Sequence, residues 1–212
     1  NVSPLTPLQE GMLFHALRDA ESSAYITQTE IDVGVADTAL LQAAFESTML
    51  QFDILRTSFA WRGLPVPLQV VHRSVVPCFE VHSVGADGYA HVLARDRDIG
   101  FDIEGRPLMR MAALVCDNGN VTILLSHHHI LLDGWSLPIV LDAFVGNYNL
   151  LRQSLSPSPA SSSFAPFVSW TIAQQRSSAA RLFWTRLLDG VADATSIADM
   201  DLGRGCDPCS DI

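Results

Sequence analysis

Apolar and polar positions recur along this chain with two periods, and the switches between them delimit its elements. Leu8, Met12, Leu13 and Leu17 fall on one helical face. Thr6 suits an N-cap, Pro7 the first helical position and Gln9-Glu10 the first turn, so a helix is predicted from Pro7 to about Arg18. Tyr25 to Val33 alternates as a strand does. Asp37-Thr38 caps a second helix reaching about Gln51, with Leu41, Ala44, Phe45, Thr48 and Met49 at helical spacing. Ile54 to Trp61 is predicted as a strand that turns through Arg62-Gly63-Leu64-Pro65 into a partner over Pro67–Val71. Cys78 to His82 forms a short strand, and Asp87 to Asp98 a helix that buries Tyr89, Val92 and Leu93. Two stronger strands, Leu108–Val115 and Val121–His127, flank Asp117-Asn118-Gly119-Asn120, which has hairpin-turn chemistry. Leu137, Leu141, Phe144, Tyr148 and Leu151 make the most regular helical pattern in the chain. The serine- and proline-rich Ser154–Ser163 is a linker. A shorter helical stretch follows, then an amphipathic helix over Ala179–Leu188. Periodicity fails over Gly190–Ile212, which is expected to pack loosely or to depend on a partner.

Helices interspersed with strands around central hairpins predict an α/β (α+β) sandwich with a mixed, largely antiparallel sheet flanked by helices. The 212 residues are 48% hydrophobic and 17% charged, which supports a large core and excludes general disorder. A formal charge of −10, with no basic cluster, argues against a nucleic-acid partner. No apolar run approaches the roughly 18 residues that span a bilayer, and the N-terminus lacks a signal pattern, so a cytoplasmic location with no membrane partner is expected. Cys78 and Cys116 lie in apolar strands and are expected as small buried hydrophobes. Cys206-Asp207-Pro208-Cys209 is a single C-x-x-C without a second pair, which is weak grounds for zinc or redox work.

The chemistry concentrates in Ser126-His127-His128-His129-Ile130-Leu131-Leu132-Asp133-Gly134-Trp135-Ser136, where a strand passes through a tight loop into a helix. Histidine titrates near pH 6.5, about where a proton can be given or taken at neutrality. One such residue at a strand end is commonly satisfied by nearby backbone, but three beside Asp-Gly ask for more. A metal needs converging ligands, whereas His127 and His129 share a strand face that His128 opposes. An acid–base role needs a neutral imidazole at a cavity and a neighbour that orients it. Asp133 either shapes the turn that presents His129 or pairs with a buried arginine, for which Arg56 is the candidate. Gly134 would permit a positive φ or close approach by substrate. No serine elbow or cysteine–histidine signature is present, so direct transfer assisted by one histidine is favoured over a covalent enzyme intermediate.

His128-His129-Ile130-Leu131-Leu132-Asp133-Gly134 spells HHxxxDG and resembles the signature of nonribosomal peptide synthetase condensation domains, within the chloramphenicol acetyltransferase-like superfamily. Leu5–His15, Asp53–Phe59, Phe101–Arg110, Phe164–Trp170 and Phe183–Gly190 are similar to further family segments in the family's order. Phe52 stands where a histidine is common in the second of these. The resemblance implies peptide-bond formation between a donor thioester and an acceptor aminoacyl thioester, both carried on phosphopantetheine arms with no directly bound cofactor or metal. It implies His129 as the main catalytic residue, as general base or amine-orienting group. His128, Asp133 and Gly134 accompany it, with support from Trp135 and from an Arg56–Asp133 pair, and His127 is incidental. A neutral amine is already nucleophilic, so positioning and charge stabilisation are the larger task. The implied partners are donor and acceptor peptidyl carrier domains, a C-terminal lobe, and adenylation or epimerization domains. The wording of Gln9–His15 and of the loop is more similar to domains that accept a D-configured donor. Residues 1–190 then correspond to an N-terminal lobe and 191–212 to a tail or the start of the inter-lobe connection. With no motif of the second lobe, this polypeptide alone is expected to be nearly inactive and open to self-association. The alternatives are a coenzyme A-dependent HHxxxDG acyltransferase and a non-catalytic carrier-docking or metal-binding module.

Overall fold

The computed structural model describes residues 1–18, 24–85, 88–105, 107–158, 163–175 and 177–191. It divides into two units, Asn1–Ile172 and Ala173–Ile212. In the first, β1 (Val2–Pro4), α1 (Pro7–Arg18), β2 (Ile26–Gly34) and α2 (Thr38–Gln51) precede a 3₁₀ turn over Asp53–Arg56. Then come β3 (Thr57–Ala60), β4 (Leu68–Val71), β5 (Cys78–Val84), α3 (Gly88–Ile99), β6 (Met109–Cys116), β7 (Val121–His128) and α4 (Ser136–Arg152). α5 (Ala165–Gln175) reaches the boundary, and α6 (Ser178–Leu187), capped by the Ser177 hydroxyl, lies in the second unit.

The main sheet has the order β2-β7-β6-β5, and β1-β4-β3 form a smaller antiparallel sheet. β7 is antiparallel to both its neighbours, while β5 runs parallel to β6, so the sheet is mixed and largely antiparallel as predicted. The β6–β7 hairpin sets Met109 opposite His127, and β2 sets Thr27 opposite His127 and Ile26 opposite His128. Val121, Ile123 and Leu125 belong to a core shared with Leu41, Ala44, Phe45 and Met49 of α2 and with Val140 and Phe144 of α4. On the other face, Leu124 and Leu114 join Val84 beneath Tyr89, Val92 and Leu93 of α3. Burying a large apolar side chain in this way contributes about 1.5–3 kcal/mol.

Three expectations change. Leu8 and Leu17 are 76% and 50% exposed, while Leu13 is buried as expected and Gln9 is buried with it. The Gln9 side chain accepts from the Thr6 N–H at 2.9 Å while Thr6 Oγ1 accepts from Gln9 N at 3.3 Å, a reciprocal cap that turns a glutamine inward. Ile54 to Arg56 is a 3₁₀ turn, and only Thr57–Ala60 is extended. The Arg56–Asp53 ion pair at 2.7 Å spans three residues and tightens that turn, and the Thr57 hydroxyl donates to the Asp53 carbonyl at 2.9 Å. Cys78 and Cys116 are half-buried free thiols rather than fully buried ones. The C-x-x-C pair, residues 192–212 of the tail and residues 159–162 of the linker lie outside the described residues. Among the described residues, no helix is long and apolar enough to cross a membrane.

Candidate functional site

β7 delivers the histidines at its C-terminal end, and the strand's alternation sends neighbouring rings to opposite faces. His127 follows the core-facing residues and is 2% exposed, and its Nδ1 has no hydrogen-bond partner among the described residues. Burial, and then the neighbouring His129, lower its pKa to about 4. His128 is 5% exposed and its Nδ1 accepts from the Ile130 N–H at 3.1 Å, so the neutral ring carries its proton on Nε2. Burial, then His127 and His129, bring this pKa also to about 4. Both rings are therefore neutral at pH 7, and His129 stands beside two uncharged imidazoles.

The His128 ring lies 6.0 Å from that of Tyr25 and borders a cleft of about 790 Å³. His15, Trp61, Arg97 and Phe101 also line this cleft. His129 is half-buried, its N–H donates to the Tyr25 carbonyl at 2.7 Å, and among the described residues its ring makes no hydrogen bond. The strand thus brings His128 and His129 together with Tyr25, but it is His128 that borders the cleft.

Asp133 is exposed and starts α4: Oδ1 accepts from the Ser136 N–H at 2.8 Å and from its hydroxyl at 2.6 Å. Those bonds hold its carboxyl below the usual carboxylate range. The expected Arg56–Asp133 pair is not formed. Arg56 is committed to Asp53 and to the carbonyls of His72 and Arg73, while Asp133 is committed to the helix start. Gly134 does not need its conformational freedom, because its φ is not positive and a Cβ there would meet nothing within 4 Å. That open space leaves room for close approach from outside. Trp135, expected as structural support, is 88% exposed.

Sequence reasoning missed the groups that hold the loop from behind. The Gln9 amide donates to the Ile130 carbonyl at 3.4 Å and its oxygen accepts from Gln69 at 3.3 Å. Gln69 also donates to the Pro4 carbonyl at 2.8 Å. The Ser126 hydroxyl donates to Asp96. A glutamine three residues after a capping threonine was the available signal for Gln9; nothing local pointed to Asp96. Among the described residues, no three His, Cys, Asp or Glu converge to hold a metal.

The Condensation domain family model matches residues 1–203. The chain belongs to the condensation-domain family. It is 36% identical over 206 residues to a linear gramicidin synthase polypeptide of Brevibacillus parabrevis, covering 93% of this chain and 3% of that protein. To bacitracin synthase 3 of Bacillus licheniformis it is 33% identical over 205 residues, covering 92% of this chain and 3% of that one. The chain therefore spans a small part of these relatives. Among solved structures, the starter condensation domain of rhizomide synthetase superposes with a TM-score of 0.79 at 18% identity, covering 91% of this chain and 49% of that chain. The first condensation domain of the calcium-dependent antibiotic synthetase, in complex with a substrate analogue, gives 0.79 at 19% identity, covering 92% and 49%. These structural likenesses establish a fold shared with about half of each condensation-domain chain.

Proposed function

We propose that this chain supplies one wall of a site that joins a donor acyl or peptidyl thioester to an acceptor aminoacyl thioester. Both substrates would arrive on phosphopantetheine arms of peptidyl carrier domains, beside adenylation or epimerization domains of the same assembly. The observation that carries this reading is a buried strand that ends in His128 at the lining of a cleft of about 790 Å³, with His129 directly after it. In the reaction the acceptor nitrogen attacks the donor carbonyl carbon, a C–N bond forms, the C–S bond breaks and the thiol leaves. His129, with no intramolecular hydrogen bond to its ring among the described residues, is free to orient the amine or to take its proton. His128 keeps its neighbour's surroundings uncharged and faces the cleft. Asp133 and Gly134 shape the turn between strand and helix. Shape and electrostatics do most of the remaining work, since a neutral amine is already nucleophilic.

Because the chain aligns with about half of each of these two condensation-domain chains, a polypeptide confined to residues 1–212 would contribute one wall and is expected to transfer little or nothing by itself. The wording of Gln9–His15 together with that of His128–Pro138 favours a D-configured donor residue, which a comparison of diastereomeric donor thioesters would test. The main test is dipeptidyl transfer by the complete domain carrying His129→Ala. A loss of about 10²–10⁴-fold is expected from removing a positioned acid–base or orienting group. Undiminished transfer would take His129 out of the mechanism.

A further inference from the structure

A buried polar hub lies on the cleft side of β7. Arg110 of β6 donates through Nε to the Asp96 carboxylate, through one terminal nitrogen to the Asp96 carbonyl, and through the other to the Gly100 carbonyl at 2.6 Å. Its guanidinium sits 4.1 Å from the centroid of the Phe101 ring. The second Asp96 oxygen accepts from Ser126 of β7 and from Gln28 of β2, the latter at 2.6 Å. Asp96 and Arg110 side chains are only 13% and 14% exposed. One carboxylate thus ties α3 to three strands of the main sheet.

What the hub holds is more informative than what it consists of. Gly100, with φ +64°, closes α3 and starts the segment through Ile103. Gly100, Phe101, Asp102 and Ile103 line the same cleft as His128, whereas Arg110 and Ser126 do not touch it. Ser126 stands two residues before His128 on the same strand face. The hub therefore connects the cleft wall to the histidine strand from behind.

We infer that Asp96, Arg110 and Ser126 are positioning residues that hold the Gly100–Ile103 wall in register with the histidine strand and so set how tightly the site takes its carrier-borne substrate. This rests on the amide-forming reading above for its kinetic readout, but not for its structural one. Lysine retains the charge of Arg110 but offers neither the planar fork nor the stack on Phe101.

The test uses Arg110→Lys and Ser126→Ala in the complete domain, with donor and acceptor carrier-bound thioesters varied in turn and backbone amide exchange followed by mass. In Arg110→Lys, KM for one of the two substrates is expected to rise about tenfold, the loss of roughly one charge-assisted bond, with kcat changed less than about twofold. Exchange over Gly100–Ile103 should quicken about tenfold while exchange in α2 stays unchanged. Ser126→Ala, which removes a single bond to Asp96, should act in the same direction by about threefold and serves if the lysine variant does not fold. Unchanged KM and unchanged local exchange would overturn the inference. So would equal acceleration in α2 and the wall, which marks a merely structural role. A wild-type domain that transfers nothing would sink the amide-forming reading, leaving the exchange comparison to decide this one.

Discussion

The two faces of β7 are buried alike and built differently. One face carries Val121, Ile123 and Leu125 into the main core and ends in His127, whose Nδ1 has no partner among the described residues. The other carries Leu124, then Ser126 bonded to Asp96, then His128 bonded to the Ile130 N–H and bordering the cleft. Depth alone therefore does not separate the cleft-lining histidine from its neighbour, since both rings are over nine-tenths buried and both have pKa values lowered to about 4. The separation comes from what each face offers: hydrocarbon on one, a polar scaffold and a cavity on the other.

Acidification should have the largest effect. His127 and His128 have folded-state pKa values of about 4, below the ordinary 6.5, so the unfolded chain takes up protons first as pH falls. Stability is full above about pH 6.5 and is lost progressively down to about pH 4, by roughly 3 kcal/mol for each ring at most. Asp96 adds to this lower down. Burial alone would raise its carboxyl, but bonds from Arg110, Ser126 and Gln28 outweigh that and hold it below 3.8, so its contribution goes as pH falls through that region. Urea denaturation at pH 7, 5.5 and 4.5 measures the slope, and a flat profile over that range would refute buried neutral rings.

Truncation compares the faces directly. Leu125→Ala in the larger core is expected to cost about 3–5 kcal/mol, and Leu124→Ala in the smaller cluster under α3 about 2–3. Thermal melts read both, and a reversed order would show that the α3 side carries more of the stability than its cluster implies. The smallest effect is the most discriminating. His127→Leu should stabilise the fold by about 1 kcal/mol, because it removes an unpartnered buried nitrogen, and should remove about half of the acid slope. The same change at His128 would lose a bond to the Ile130 N–H and a cleft-lining ring, so it should reduce transfer as well as stability.

Local regularities were legible in the sequence and long-range polar partnerships were not. The five residues read as the buried stripe of α2 are the five that the structure buries, because helical spacing against a core leaves few alternatives. The β6–β7 hairpin followed from its turn. Arg56 was misassigned because a residue three positions away, Asp53, reaches it more easily than one across the fold, and the same pairing replaced the expected strand start with a 3₁₀ turn. The α1 face was misread because the core-facing position one turn before Leu13 holds a capping glutamine, so an apolar pattern passes over it and takes in the exposed Leu8 and Leu17 at its margins. The histidines were found because their motif is contiguous. Asp96, Arg110 and Ser126 were not, since their association exists only once α3 has packed on the sheet.

Gln9 gives the site a mechanical connection. β1 is zipped to β4 from Val2 to Pro4, the Asn1 nitrogen donates to the Val71 carbonyl at 3.2 Å, and Gln69 bridges Pro4 to Gln9, whose amide ends on the Ile130 carbonyl. A three-residue ladder therefore holds β1 to the smaller sheet. Peeling β1 away would loosen Gln69 and Gln9 in turn, and with them the support behind the Ile130 carbonyl, one residue past His129.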